Sequence, residues 1–174
     1  MSPVGSRSIE GPATTPPPGL AYRPVTEADR PFLAELYAST RREELAAVPW
    51  TGEQKEAFLR SQFEAQRRHY DEHYPDCAFL VIEGPEGPIG RLYLARWDDE
   101  IRLVDIALLP EHRGTGLGTS ILERVLAEGR EAGLLVRIHV ERENPARRLY
   151  ERLGFRPVDS NGIYTLMEWR GDAT

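Results

Sequence analysis

The apolar residues of the N-terminal third recur at helical spacing. A short strand at 20–25 leads into Thr26 and Asp29, which stand at the spacing of a capping box, with Pro31 in the first helical turn. A second helix begins near Thr51, with Gln54 three residues on. Each helix has one mainly apolar face. These faces carry Phe32, Leu33, Leu36 and Tyr37 in the first helix and Leu59, Phe63, Gln66 and Tyr70 in the second.

After Pro75 the pattern becomes that of β-strands. The segments 78–83, 89–97 and 101–109 are separated by turn-forming residues, so they are predicted to form an antiparallel meander. The third segment is almost continuously apolar from Val104 to Leu109, which is typical of a central strand covered on both faces.

The C-terminal half alternates again between helix and strand. A helix is predicted from about Gly116 to Ala132, with Gly133 as its stop, followed by a strand at 134–140. A short helix at 145–153 ends at Gly154, and strands at 155–158 and 163–169 complete the order β-α-α-β-β-β-α-β-α-β-β. This order indicates one α/β domain of the α+β type over residues 20–171.

Composition limits the class of protein. The 174 residues suffice for one domain, and residues 1–19 are so rich in Pro, Gly, Ser and Thr that we expect a flexible tail. No apolar run approaches the roughly 20 residues of a membrane span, and no secretory signal is visible, so we expect a cytoplasmic protein. The net charge of -6 argues against nucleic acid as a partner and mildly favours a cationic substrate. Cys77 is the only cysteine, which excludes an intramolecular disulfide.

The strongest local signal is a glycine-rich turn between the central strand and the long helix. It runs from Arg113 to Gly118 as Arg-Gly-Thr-Gly-Leu-Gly. Glycine lets the main chain approach an anion closely, and the first amides of a helix are unpaired at its positive end. The glycine spacing fits neither the P-loop nor the dinucleotide fingerprint. The turn therefore indicates a phosphate site, although a tight turn without a ligand would also use glycines.

A second motif follows the turn, at Asn144 to Phe155, with the sequence Asn-Pro-Ala-Arg-Arg-Leu-Tyr-Glu-Arg-Leu-Gly-Phe. The pair of motifs, together with the element order over roughly residues 20–170, resembles the GNAT superfamily of acyl-CoA N-acyltransferases. The resemblance implies a mixed central sheet of about six or seven strands with about four helices and splayed central strands. It also implies acetyl-CoA as the acyl donor, an amine as the acceptor, no metal, and a monomer or homodimer.

The resemblance assigns roles to residues. It implies that the backbone of Leu108 and Leu109 binds the pantetheine arm and that Tyr150 faces the thioester sulfur as general acid. Asn144 would contact the cofactor or orient Tyr150, although its spacing from Tyr150 is one residue shorter than usual in the family. The pyrophosphate would lie on the backbone amides of Arg113, Gly114, Thr115, Gly116, Leu117, Gly118 and Thr119.

The acceptor amine must lose a proton before it attacks. Some members of the superfamily use a glutamate at the end of the following strand, where this chain has His139. A neutral imidazole could accept the proton directly or through water. Asp105 is a second candidate for this base, and Glu100 and Glu141 are weaker ones.

Two classes of function remain open. One is an enzyme that acetylates an amine of a small molecule, peptide or protein. The other is a related module that binds acyl-CoA without turnover, as a sensor or interaction domain. The acceptor would lie against the first two helices and the last strand pair, where Trp50, the segment from Arg67 to Tyr74 and the turn at 159–164 are candidates. His69 and His73 are one helical turn apart but lack an evident third metal ligand.

Overall fold

The computed structural model describes residues 14–171 and contains one seven-stranded mixed sheet in the order β1-β2-β3-β4-β5-β7-β6. Neighbouring strands are antiparallel except β4 and β5, which are parallel. The prediction of an α/β fold with a mixed sheet is confirmed. The strands are β1 (Ala21–Pro24), β2 (Ala78–Gly84), β3 (Gly87–Arg96), β4 (Glu100–Leu108), β5 (Leu135–Glu141), β6 (Arg156–Asn161) and β7 (Tyr164–Trp169).

Four α-helices accompany the sheet in the described part of the chain: α1 (Arg30–Ala46), α2 (Gly52–His73), α3 (Leu117–Ala132) and α4 (Arg147–Arg152). The helix starts follow the predicted caps. The Thr51 hydroxyl accepts the amide proton of Gln54, whose side chain accepts that of Thr51. Asp29 likewise accepts the amide proton of Thr26, within a short 3₁₀ turn that precedes α1.

The helices lie on both sides of the sheet. The larger apolar core joins α3 and α4 to one face, and includes Val136, Ile138 and Val140 of β5. A smaller core holds α1 against α2. On β3, Leu92 and Leu94 belong to the larger core, whereas the Tyr93 between them packs against Tyr70 of α2, so α2 covers the opposite face. None of the described helices is long and apolar enough to cross a membrane.

The segment before β1 is partly described. Residues 1–13 of the predicted tail lie outside the described residues. Thr14 and Pro17 are buried, and the Thr14 hydroxyl contacts Glu128 of α3 and accepts a hydrogen bond from Arg96 of β3 (3.2 Å). The packed part of the chain therefore includes residues that precede Leu20.

β4 and β5 separate along their length. They pair only from Glu100 opposite Leu135 to Leu103 opposite Ile138, although both strands continue beyond these residues. At the same point Val104 is an extra residue in the β3–β4 ladder, since Tyr93 lies opposite Asp105 and Leu94 opposite Leu103. Residues 104–107 are therefore half-buried. β4 is a central strand, as predicted, but residues 104–107 are not fully covered, because their edge toward β5 is open.

Gly90 supports the open half of β4 from the neighbouring strand. A Cβ at this position would lie 2.3 Å from the carbonyl oxygen of Ala107 and 2.8 Å from a methyl group of Leu108. We expect Gly90→Ala to lower the free energy of unfolding by about 1–3 kcal/mol, because the strand backbone must move. Urea denaturation measures this, with the exposed Gly52→Ala, which meets nothing within 4 Å, as the matched control. Equal stability of the two variants would contradict the close packing of β3 on β4.

Candidate active site

The gap between β4 and β5 exposes backbone hydrogen-bonding groups. The Leu109 amide donates to the carbonyl oxygen of Ile89 on β3 (2.8 Å). Because these groups alternate along an antiparallel strand, the amides and carbonyls of Ile106 and Leu108 point away from β3, into the gap. The amide of Leu109, which the resemblance assigned to the pantetheine arm, is thus already engaged. The backbone groups that face the gap are therefore those of Ile106 and Leu108, and the sequence could not reveal this because it depends on the ladder register.

The glycine-rich turn opens onto the same edge of the sheet. Gly114 (φ 70°) and Gly116 (φ 87°) adopt the left-handed conformation, in which a side chain would be strained. Gly116 is the N-cap of α3, and no described backbone or side-chain acceptor bonds the amides of Leu117, Gly118 or Thr119. Atoms around Gly118 leave a Cβ-sized space, with only a Leu108 methyl within 4 Å, at 3.9 Å. This arrangement suits an anion.

Two groups of the turn already have partners, the amide of Arg113 and the hydroxyl of Thr115. The Arg113 amide donates to the Pro110 carbonyl (3.2 Å), and the Thr115 hydroxyl donates to that of His112 (2.9 Å). The Arg113 side chain turns back over the end of β4, where its Nε donates to the Leu108 carbonyl (2.9 Å) and its Nη2 to Ser39 Oγ of α1 (3.0 Å). Arg113 thus brings a cation to the gap through its side chain.

Tyr150 lies on α4, whose two ends fix its position. At the start, Asn144 Oδ1 accepts from the Ala146 amide (2.9 Å), and the Asn144 carbonyl accepts from the Arg147 amide (3.0 Å). At the end, Gly154 has φ 103°, which allows the Phe155 amide to return to the Tyr150 carbonyl (3.0 Å). These contacts favour the orienting role of Asn144. Its Oδ1 is used within the turn.

The Tyr150 side chain is buried, with its ring against that of Phe155 at 5.7 Å between centroids. Burial, with a smaller contribution from the Asp105 charge, raises the pKa of Tyr150 above its ordinary value. The phenol therefore stays protonated at neutral pH and can donate a proton. No described group hydrogen-bonds its hydroxyl.

Asp105 is a partly exposed anion on the open half of β4. Its side chain is 22% exposed and forms an ion pair with Nη2 of Arg91 on β3. Its charge contributes to the raised pKa values of Tyr70 on α2 and Tyr150 on α4. The carboxylate thus lies within electrostatic range of the phenol, near the gap.

His139, the other candidate base, has a different environment. It is exposed on β5, and its Nδ1 lies 3.3 Å from Nη1 of Arg102. Since arginine can only donate, Nδ1 must accept, and the lone pair of the neutral imidazole is thereby used. Neighbouring atoms still remove part of the water around its ring, and this desolvation and the Arg102 charge lower the pKa of His139 below its ordinary value. The two candidates thus differ: Asp105 lies on the open half of β4, whereas the Nδ1 of His139 already has a partner.

The two weaker candidates differ in availability. Glu100 is buried and bridges Arg102 (3.0 Å) and Arg137 (3.2 Å), which is a structural role. Glu141, at the end of β5, is half-buried and pairs with Arg41 of α1 at 3.4 Å. Two residues of α1 thus reach the site: Ser39 contacts Arg113 at the end of β4, and Arg41 contacts Glu141 at the end of β5. Neither residue belongs to a motif that the sequence could have indicated.

The predicted acceptor wall on α2 is only partly open. Tyr70 packs against Phe79 and Tyr93, and the rings of Tyr74 and Trp97 stack with centroids 6.3 Å apart. These tyrosines fasten α2 to the sheet. Trp50, Ile163 and Tyr164 are exposed, as the prediction requires of an acceptor surface.

Two remaining sequence features carry no site chemistry. His69 and His73 stack at 4.2 Å between centroids, and the described residues contain no group of three or more His, Cys, Asp or Glu arranged for a metal. Burial raises the pKa of Cys77 to about 12, so its thiol is unreactive at neutral pH.

Three comparisons with known proteins agree with this geometry. The model of the Acetyltransferase (GNAT) family matches residues 34–155. The ribosomal protein bS18-alanine N-acetyltransferase of Haemophilus influenzae is 39% identical over 67 residues, which are 38% of this chain and 46% of that protein. The mycothiol acetyltransferase of Thermobispora bispora is 43% identical over 75 residues, 42% of this chain and 22% of that protein. Each match thus spans less than half of the curated relative.

Among solved structures, the PaiA N-acetyltransferase of Thermoplasma acidophilum in complex with coenzyme A has the same fold. It superimposes with a TM-score of 0.65 and 22% identity, and the match covers 87% of this chain and 99% of that one.

Proposed function

Because this chain belongs to the GNAT acetyltransferase family, we propose that it transfers an acetyl or other short acyl group from acyl-CoA to a primary amine. The acceptor would be a small molecule, a peptide or a protein. The observation that carries the proposal is the gap beyond Leu103 and Ile138. The gap is lined by the backbone of β4. The unpaired amides of α3 follow the end of β4, and the Tyr150 segment follows the end of β5.

The residues at the gap fit acyl-CoA. The amides of Leu117, Gly118 and Thr119 would hold the pyrophosphate. The Arg113 guanidinium, which donates to the Leu108 carbonyl at the end of β4, would add a positive charge nearby. The amide and carbonyl of Ile106 and the amide of Leu108 would hydrogen-bond the pantetheine arm as an added strand does, since the Leu108 carbonyl already accepts from Arg113. When bound, acyl-CoA supplies the activated acyl group as a thioester.

The side chains around the gap supply the proton transfers. The Asp105 carboxylate attracts the acceptor as an ammonium ion and takes its proton, directly or through a water molecule. A backbone amide facing the gap donates to the acyl oxygen as negative charge develops there. Tyr150, kept protonated by burial, donates a proton to the departing sulfur.

The second candidate function is an acyl-CoA sensor without turnover. It requires the pyrophosphate site but neither Tyr150 nor Asp105. The hydroxyl of Tyr150, which has no described partner, and the partly exposed carboxylate of Asp105 favour the enzyme, because a binding module gains nothing from an ionisable pair at this position.

The choice of base gives a direct test of the mechanism. We expect Asp105→Asn to lower kcat/KM for the amine by about 100-fold, since general base catalysis typically contributes that much or more. His139→Gln should stay within about threefold of the wild type, because its Nδ1 already accepts from Arg102. Release of the CoA thiol, followed at saturating acetyl-CoA, measures both. The reverse order of effects would make His139 the base and refute the assignment to Asp105.

A further inference from the structure

We propose that Arg91 is a positioning residue for acyl transfer: from the interior, its guanidinium pairs with the Asp105 carboxylate and directs it at the acceptor amine. The inference rests on the proposed function and concerns the same site. Arg91 lies on β3, opposite Ala107 in the ladder and two pairs along from the pair of Tyr93 with Asp105. It carries no sequence motif.

The contacts of Arg91 lead from the packed interior to the gap. Its side chain is only 4% exposed, and its Nη2 donates to Gln66 Oε1 of α2 (2.9 Å). Its guanidinium carbon lies 5.0 Å from the centroid of the Tyr93 ring. The same Nη2 meets Asp105 Oδ2 as an ion pair, while the buried Nε has no described partner. The guanidinium is thus enclosed on the α2 side and charge-paired on the side of the gap.

Packing alone does not account for this arginine. Burying a guanidinium carries a large desolvation cost, and an apolar side chain of similar volume often stabilises a fold as well or better. Here one buried donor also lacks a described partner, which adds a further cost. Unlike an apolar residue, Arg91 places a fixed positive charge behind the Asp105 carboxylate, whose side chain remains 22% exposed.

The other groups around Asp105 do not supply that charge. Tyr93 on β3, Tyr70 on α2, Tyr150 on α4 and Cys77 before β2 all interact with Asp105, and each has its pKa raised mainly by burial. All four are neutral at pH 7 and become anions on ionisation. Gln66 is also neutral. Arg91 is the described cation that contacts Asp105.

Charge and shape can be separated by two substitutions. We expect Arg91→Met to lower kcat for the amine at least tenfold at saturating acetyl-CoA, because the Asp105 carboxylate loses the contact that directs it. The dissociation constant of acetyl-CoA should stay within about twofold, because Arg91 lies away from the α3 amides. Arg91→Lys, which keeps a cation behind Asp105, should recover most of kcat. Gln66→Leu, which removes a contact of Arg91 and keeps the charge, should stay within about threefold of the wild type.

A double variant separates positioning from packing. If Arg91 acts through Asp105, adding Arg91→Met to Asp105→Asn should lower kcat little further, because the carboxylate that Arg91 directs is already gone. A wild-type kcat in Arg91→Met, or effects of the two substitutions that multiply independently, would overturn the inference and leave Arg91 a packing role. A wild-type protein that acetylates no amine would instead refute the proposed function, and the inference with it.

Discussion

Tyr150→Phe is expected to lower kcat for amine acetylation by about 100-fold or more, while acetyl-CoA binds within about twofold of wild-type affinity. The physical reason is the loss of a single proton donor. Burial keeps the phenol protonated, and no described group bonds its hydroxyl, so the substitution removes an interaction made only with the departing sulfur. Stopped-flow or steady-state thiol release gives kcat, and calorimetric titration gives the affinity.

A matched control is available in β1. Tyr22 is half-buried, burial raises its pKa to about 12, and its hydroxyl is buried without a partner. Tyr22→Phe makes the same chemical change away from the gap, and we expect unchanged kcat with equal or slightly higher stability. If Tyr150→Phe retained more than about half of the wild-type kcat, the sulfur would take its proton from another source, and Tyr150 would be a core residue.

Gly118→Asp is expected to abolish tight acyl-CoA binding without harming the fold. The residue is the second of α3, its Cβ would meet only a Leu108 methyl at 3.9 Å, and its φ is not positive. A carboxylate in the first turn of a helix is favourable, so we expect the free protein to be more stable by about 0.5–1 kcal/mol. Two like charges about 4 Å apart near a surface repel by about 4 kcal/mol, so the dissociation constant of acetyl-CoA should rise at least 100-fold.

The opposite signs of these two effects make the test specific. Gly118→Ala adds a methyl group without charge and should weaken acetyl-CoA by less than about tenfold. Thermal unfolding with and without acetyl-CoA measures both stability and binding. If Gly118→Asp bound acetyl-CoA as the wild type does, the pyrophosphate would lie elsewhere and the turn would be only a tight connection.

Several features of the site could be predicted from local sequence. The capping residues at Thr51 and Gln54 fix where α2 begins. The glycines at 114 and 116 adopt the conformation that only glycine adopts without strain, and α3 begins directly after them. Tyr150 is held where the Asn144 to Phe155 motif indicates, because both ends of α4 are fixed by contacts within that motif.

Other features depend on contacts between distant segments. The extra residue at Val104 and the separation of β4 from β5 follow from strand register, which the apolar run from Val104 to Leu109 conceals. The sequence left Asp105 and His139 as alternatives, and only the positions of Arg91 and Arg102 distinguish them. In the sequence, Arg91 cannot be distinguished from a solvent-exposed polar residue of an alternating strand, so its burial could not be predicted.

The gap between β4 and β5 is proposed to bind acyl-CoA for transfer of its acyl group to an amine. The most direct test of this claim is release of the CoA thiol from acetyl-CoA in the presence of a panel of amines: amino acids, polyamines, aminoglycosides and peptides with free N-termini. We predict amine-dependent release for at least one class, and its loss in both Tyr150→Phe and Gly118→Asp. Tight binding of acetyl-CoA with no thiol release across the whole panel would contradict the claim and favour the sensor.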